Sequence, residues 1–207
     1  MSMKPRRVED RQDHYYWKAK KEGYRSRAAY KLLQMDRKFG IIRKGYWVLD
    51  LGASPGGWSQ VAVELGASVV AVDLAPMKPI DGVVFIQGDI TSKETREMIR
   101  GVREKFDVVI CDASPKITGH WDIDHYRSVE LVEAAFSMAR EFLKPGGSFV
   151  VKMFQGQETP RLYSEFKKHF RFKKLHSPPA SRKRSSEIYF IGKGFGGKFR
   201  PKRDDTD

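Results

Sequence analysis

Val48-Leu-Asp-Leu-Gly-Ala-Ser-Pro-Gly-Gly-Trp58 carries a short apolar run into a helical pattern through Gly52, Gly56 and Gly57. Glycines so placed leave the backbone bare where another group must approach, and a bend of this kind after a strand belongs to folds that alternate strands with helices. The rest of the central chain keeps that alternation. β-branched apolar runs at 46–51, 68–72, 83–87, 106–111 and 148–153 predict strands. Between them, 57–65, 91–103 and 123–143 predict helices, the second opened by a capping box from Thr91 to Glu94 and the third closed by Lys144-Pro-Gly-Gly. Such an order gives an α/β chain whose mostly parallel sheet is covered by helices on both faces. Two further strands, 171–175 and 187–191, follow a helix at 161–169, and the alternation in Glu187-Ile-Tyr-Phe-Ile suits an outer, antiparallel strand. Ahead of the sheet, Ser26 is placed to cap a helix with Ala28, Leu32, Met35 and Phe39 on one face. The tail from Gly192 onward, rich in glycine and basic residues, reads as disordered.

With 207 residues, 40% of them hydrophobic, the chain is expected to close one core. No apolar run reaches the roughly 18 residues of a membrane span, the start shows no secretory pattern, and Cys111 has no cysteine to pair with. A cytoplasmic, monomeric protein without structural disulfide or metal is the expectation. Charge is uneven. Residues 1–45 hold 14 Lys and Arg against 5 Asp and Glu, residues 46–150 hold 10 against 15, and residues 151–207 hold 15 against 6. Two basic flanks around a mildly acidic centre, with a net charge of +13, point to a polyanionic partner, and nucleic acid is the first suspect.

The glycine spacing in the bend, G-x-x-x-G-G, is neither a dinucleotide fingerprint nor a phosphate loop with its lysine, so it fits a nucleoside-type ligand without phosphates. Acids at successive strand ends suit that ligand: Asp73 for ribose hydroxyls, Asp89 for an exocyclic amine, and Asp50 for an ammonium group. Taken singly, each is equally an ordinary cap or turn residue. Gly52-Ala-Ser-Pro-Gly56 also satisfies the G-x-S-x-G elbow of serine hydrolases, with Ser54 as nucleophile and Asp112 and His169 or His176 following in order. The elbow normally follows earlier strands and an oxyanion loop, which this chain lacks before residue 46. His120, His125, Asp122 and Asp124 read as a polar substrate loop, with no metal-ligand spacing.

Four further residues carry weak signals individually. Asp112 ends the fourth strand, and Lys152 places an ammonium in the apolar strand Phe149-Val-Val-Lys-Met-Phe154, where it must pair, lose its proton or reach water. Lys31 flanks the apolar stripe of the first long helix, and Glu187 opens the last strand on the face of Tyr189 and Ile191.

Together, Ser26-Arg-Ala-Ala-Tyr-Lys-Leu, Asp50-Leu-Gly-Ala-Ser-Pro-Gly-Gly-Trp-Ser-Gln, Asp73-Leu-Ala-Pro-Met, Gly88-Asp-Ile, Asp112-Ala-Ser-Pro, Val151-Lys-Met-Phe-Gln-Gly and Ser185-Ser-Glu-Ile-Tyr occur in one order. That series resembles the FtsJ-like RNA ribose 2′-O-methyltransferases over residues 10–194. The resemblance implies a class I, Rossmann-like fold with a seven-stranded sheet whose last strand is antiparallel, and S-adenosyl-L-methionine as cofactor. It further implies a catalytic tetrad of Lys31, Asp112, Lys152 and Glu187, and cofactor contacts among Asp50, Gly52, Gly56, Gly57, Trp58, Asp73, Asp89 and Asp112. Residues 26–194 then form the methyltransferase domain, 1–25 a basic arm and 195–207 a disordered tail.

Within that family, 151–156 and 181–187 resemble the branch acting on uridine of large-subunit ribosomal RNA or its particle, whereas 117–126 is similar to the tRNA-modifying branch. Ser54 stands where bacterial members usually have alanine, which speaks against a nucleophilic role. A noncatalytic RNA-binding module is the third class kept open. RNA contacts are expected from Arg6, Arg7, Arg11, Lys18, Lys20, Lys21, Arg25, Arg27, Arg182, Lys183 and Arg184. Tyr15, Tyr16 and Trp17 are available for stacking or for anchoring the arm to the core.

Overall fold

The computed structural model describes residues 14–115, 121–182 and 185–196. Two helices, α1 (His14–Glu22) and α2 (Ala29–Phe39), precede β1 (Trp47–Leu51), α3 (Gly57–Glu64), β2 (Ser68–Asp73), β3 (Val83–Gln87), α4 (Lys93–Val102) and β4 (Phe106–Cys111). The chain continues through α5 (Trp121–Phe142), β5 (Leu143–Phe154), α6 (Thr159–Phe166), a single 3-10 turn, β6 (Phe170–His176) and β7 (Glu187–Phe195). The strands form one seven-stranded sheet in the order β3-β2-β1-β4-β5-β7-β6. β7 is antiparallel to both neighbours and the other pairs are parallel, as the alternation and the final strand pattern imply.

Because side chains alternate across a strand, each strand feeds both faces. Leu49, Val70, Val109, Phe149 and Phe190 pack with α4, α5 and α6 on one face. Val48, Val69, Val108, Val150 and Ile191 pack with α2 and α3 on the other. On this second face the inward positions turn polar toward one end of the sheet: Asp50 follows Val48, Lys152 follows Val150, and Tyr189 and Glu187 precede Ile191.

Three local expectations are corrected. Ser26 is not the cap of α2, whose N-cap is Ala28 without a side-chain bond; Ser26 Oγ lies instead against Gly57, where an added Cβ would come within 2.3 Å of it. The cap of α4 is Ser92, accepting from the Thr95 amide, because Asp89 has captured both the amide and the hydroxyl of Thr91 in a turn. Gly192 is not the start of a disordered tail: β7 runs on to Phe195, and Gly192 is bare because the Phe170 ring lies where its Cβ would sit. Arg6, Arg7, Arg11, Lys183, Arg184, His120 and most of the tail lie outside the described residues.

Candidate active site

In the strand order β2-β1-β4, β1 lies between two strands reached by opposite crossovers, and the crevice at the carboxyl ends of such strands is where ligands bind. The glycine bend sits there. Gly52 (φ +71°) and Gly56 (φ +108°) adopt left-handed backbone, and a Cβ on Gly52 would stand 2.4 Å from that of Ala113. Asp73 closes β2 and accepts from the amides of Ser54 and Ala75, fixing the bend from below. Asp89 follows β3 and is exposed beside it, and Asp112 follows β4. Carboxylates at the ends of adjacent strands, set around a bare backbone bend, fit a ligand presenting hydroxyl and amine donors.

Asp50, Gly57 and Trp58 are placed differently from those acids. Asp50 is 1% exposed and accepts from Ser59 Oγ at 2.6 Å, beneath the bend. Burial pushes its carboxyl up to about 7, opposed by the Ser59 hydrogen bond. Gly57 packs on Ser26, and the buried Trp58 donates Nε1 to the Ala28 carbonyl, tying α3 to α2.

Lys31, Asp112, Lys152 and Glu187 come together on the α2 face of the sheet. Lys152 Nζ donates to the Asp112 carbonyl at 2.6 Å and stands 3.2 Å from Asp112 Oδ1. Lys31 Nζ lies 2.8 and 2.9 Å from the two oxygens of Glu187. Burial alone raises the Glu187 pKa, but the hydrogen bond and charge of Lys31, aided by Ser181 and Lys152, outweigh it and hold the carboxyl below its usual range. Side-chain exposures of 7–15% across the four mean that these charges are paired but still reach the surface.

Two residues of this cluster escaped the sequence reading as site members. Tyr189, register partner of Lys152 across β5 and β7, donates its hydroxyl to Asp112 Oδ1 at 2.7 Å while Lys31 Nζ lies 5.7 Å from its ring centre. Burial and the neighbouring Asp112 raise its pKa well above normal, so it is a neutral donor that joins the two ion pairs. Ser181 Oγ donates to Glu187 Oε1 at 2.6 Å. Only the alternation of Glu187 and Tyr189 on one face was visible beforehand.

Other expectations fare unevenly. The arginine pair assigned to RNA is engaged internally: Arg25 donates to the carbonyls of Pro55, Lys78 and Pro79, clamping the loops around the bend, and Arg27 to that of Ala180. Tyr15 anchors α1, accepting from Gln34 and packing on Tyr30, whereas Tyr16 and Trp17 are 43% and 65% exposed with Lys20 over both rings. The hydrolase reading of Ser54 fails. Its hydroxyl donates to the Pro76 carbonyl, while His169 packs on Phe136 and Phe195 and His176 on Phe39, so no triad assembles among the described residues. Among the described residues no helix is long and apolar enough to cross a membrane.

A doubly covered sheet with a bare glycine bend at its switch point, beside a knot of lysines and carboxylates, places the chain in the Rossmann-like class, and the comparisons with known proteins make it a methyltransferase. Residues 24–195 match the FtsJ-like methyltransferase family, and the chain belongs to that family. It is 68% identical to ribosomal RNA large subunit methyltransferase E of Archaeoglobus fulgidus, over 91% of this chain and 98% of that one. The protein of that name from Methanothrix thermoacetophila is 55% identical over 89% of this chain and 73% of its own length. A crystal structure of a ribosomal RNA methyltransferase from Plasmodium falciparum superposes with a TM-score of 0.76 at 32% identity, covering 84% of this chain and all of that one.

Proposed function

We propose that this chain transfers a methyl group from S-adenosyl-L-methionine to the 2′-hydroxyl of a uridine in large-subunit ribosomal RNA, acting as a monomer in the cytoplasm. The observation that carries the reading is the convergence of Lys31, Asp112, Lys152 and Glu187, from four remote stretches of chain, into one linked cluster at the mouth of the bend. The naming of its relatives for large-subunit ribosomal RNA supports the target. Residues 26–194 serve as the catalytic domain, with 1–25 and the segment 195–207 as appendages; the family match to 24–195 supports those limits.

The cofactor, when bound, supplies a methyl group on a sulfonium whose departure leaves a neutral thioether. The chain must therefore align the ribose oxygen with that carbon and take up one proton. Lys152 serves as the general base for the 2′-hydroxyl, taking up its proton. Asp112, whose Oδ1 also accepts from the Tyr189 hydroxyl, stabilises the ammonium so produced. Lys31, fixed by both oxygens of Glu187, directs its positive charge at the same oxygen. On the cofactor side, Gly52 and Gly56 let the ligand lie against the backbone. Asp73 and Asp89 would accept from ribose hydroxyls and the base amine, and Asp112 would lie on the side of the methyl donor.

Trp17 and Tyr16, with Lys20 and Lys21 beside them, offer stacking and phosphate contacts for the RNA strand. The test is methylation by the purified chain of large-subunit ribosomal RNA, free and as the assembled particle, with the modified ribose mapped. Transfer to uridine is expected. Modification of tRNA alone would reassign the target, and no transfer to any RNA with cofactor bound would leave a noncatalytic binding module.

A further inference from the structure

At the other end of the sheet a second concentration of charge stands apart from the polar cluster. The starts of β4 and β5, the chain after α2 and the facing ends of β6 and β7 border an open cleft of about 430 Å³. Arg43, Lys144, Arg171 and Lys193 line it, against Asp107 as the lone carboxylate of the lining. Asp107 is already committed, accepting Lys144 at 2.7 Å and the Trp47 amide at 2.8 Å. Lys193 donates to the carbonyls of Phe39 and Gly40 at the C-terminal end of α2, which orient its ammonium without cancelling its charge. Arg43 and Arg171 are exposed, and the guanidinium of neither has a hydrogen bond or ion pair to a described residue.

Cations collected in this way repel unless an anion joins them, and guanidinium forks match phosphate oxygens in shape and charge. Phe172, on the same lining, is 43% exposed, and an open ring beside free cations suits a polynucleotide over a lone phosphate. The charge also continues sideways. Lys38 Nζ stands 5.6 Å from the centre of the Phe39 ring, which packs on both Phe172 and His176, and Lys174 is exposed further along β6.

The geometry points to a second RNA contact, in which Arg43 and Arg171, backed by Lys144 and Lys193, grip backbone phosphates far from the methylated ribose while Phe172 meets an unpaired base. The inference rests on the RNA-methylation reading above. Glu187 and Lys193 are six residues apart on β7, about 20 Å at roughly 3.3 Å per residue, so a mononucleotide cannot span both sites and a folded RNA can.

The test compares the full chain with its Arg43→Glu/Arg171→Glu variant, using a large-subunit ribosomal RNA transcript, binding across a salt series and methylation kinetics. Loss of both phosphate contacts should weaken binding at least tenfold and reduce the slope of log K against log salt by about 2. KM for RNA should rise with kcat at saturation unchanged. The milder Arg43→Gln/Arg171→Gln pair should show a reduced slope with a smaller loss, which guards against a folding defect in the first variant. Equal affinity and equal slope in all three chains would overturn the contact. If no chain methylates RNA yet binding still depends on these arginines, the catalytic reading falls and the contact stands. If all methylate with one KM, the contact falls and the reading stands.

Discussion

The two ends of the sheet treat charge in opposite ways. At the carboxyl end, Lys31 and Lys152 are largely buried and each faces a carboxylate, with Tyr189 joining the pairs. At the other end, Arg43 and Arg171 are exposed and Lys193 is held only by carbonyls. Buried, paired charges have fixed geometry and suit a reaction at a single oxygen. Exposed, uncompensated cations suit a partner that brings its own charge and tolerates variable geometry. One chain thus separates chemistry from grip along the length of its strands.

The sharpest way to break this contrast is Lys152→Ala. Removal of a proton acceptor should lower kcat by about 10²–10⁴ while calorimetry shows cofactor binding unchanged; near-normal turnover would remove Lys152 from the mechanism. Lys31→Met comes next, since it leaves Glu187 buried without its cation and should cost about 3–5 kcal/mol in denaturant unfolding. The sign with pH follows from the lowered folded pKa of Glu187. Its pairing stabilises fully above the ordinary carboxylate range and is lost as pH falls through the lower folded value, so the variant should lack that part of the acid-side loss.

Asp50→Asn tests a buried acid that no cation compensates. The raised carboxyl keeps its proton in the folded state up to about 7, so folding stability falls as pH rises from the ordinary carboxylate range toward that value. The slope should be at most about 1.4 kcal/mol per pH unit in the wild type and absent in the variant, read from melting curves. The smallest effect expected is that of Trp17→Ala, a loss of about 1 kcal/mol in RNA affinity from one exposed stacking ring, with the melting temperature unchanged. A large stability loss instead would make Trp17 part of the core.

Most of the fold was legible because short continuous apolar runs, separated by helical patterns, report directly on strands buried on both faces. The errors arose where a second neighbour, near in sequence or far, competed for a local group. Asp89 took Thr91 and moved the cap of α4 to Ser92, and the ring of Phe170 made Gly192 a strand residue. The site was legible unevenly for the same reason. Lys152 stood out as a cation in an apolar strand, but Lys31 looked like any surface lysine until α2 was laid across β7. Tyr189 and Ser181 became visible only through the register of β5 with β7 and the return of the loop before it. Arg25 and Arg27 carried the expected charge for RNA, yet the loops folded over them and used their guanidinium groups as clamps.

By itself the sequence determined the alternation of elements, the glycine bend and the total charge, because these follow from residue type and local spacing. Only the tertiary structure decided which cations are matched and which are left open. Pairing depends on where residues far apart in the chain come to rest, and composition carries no record of that distance.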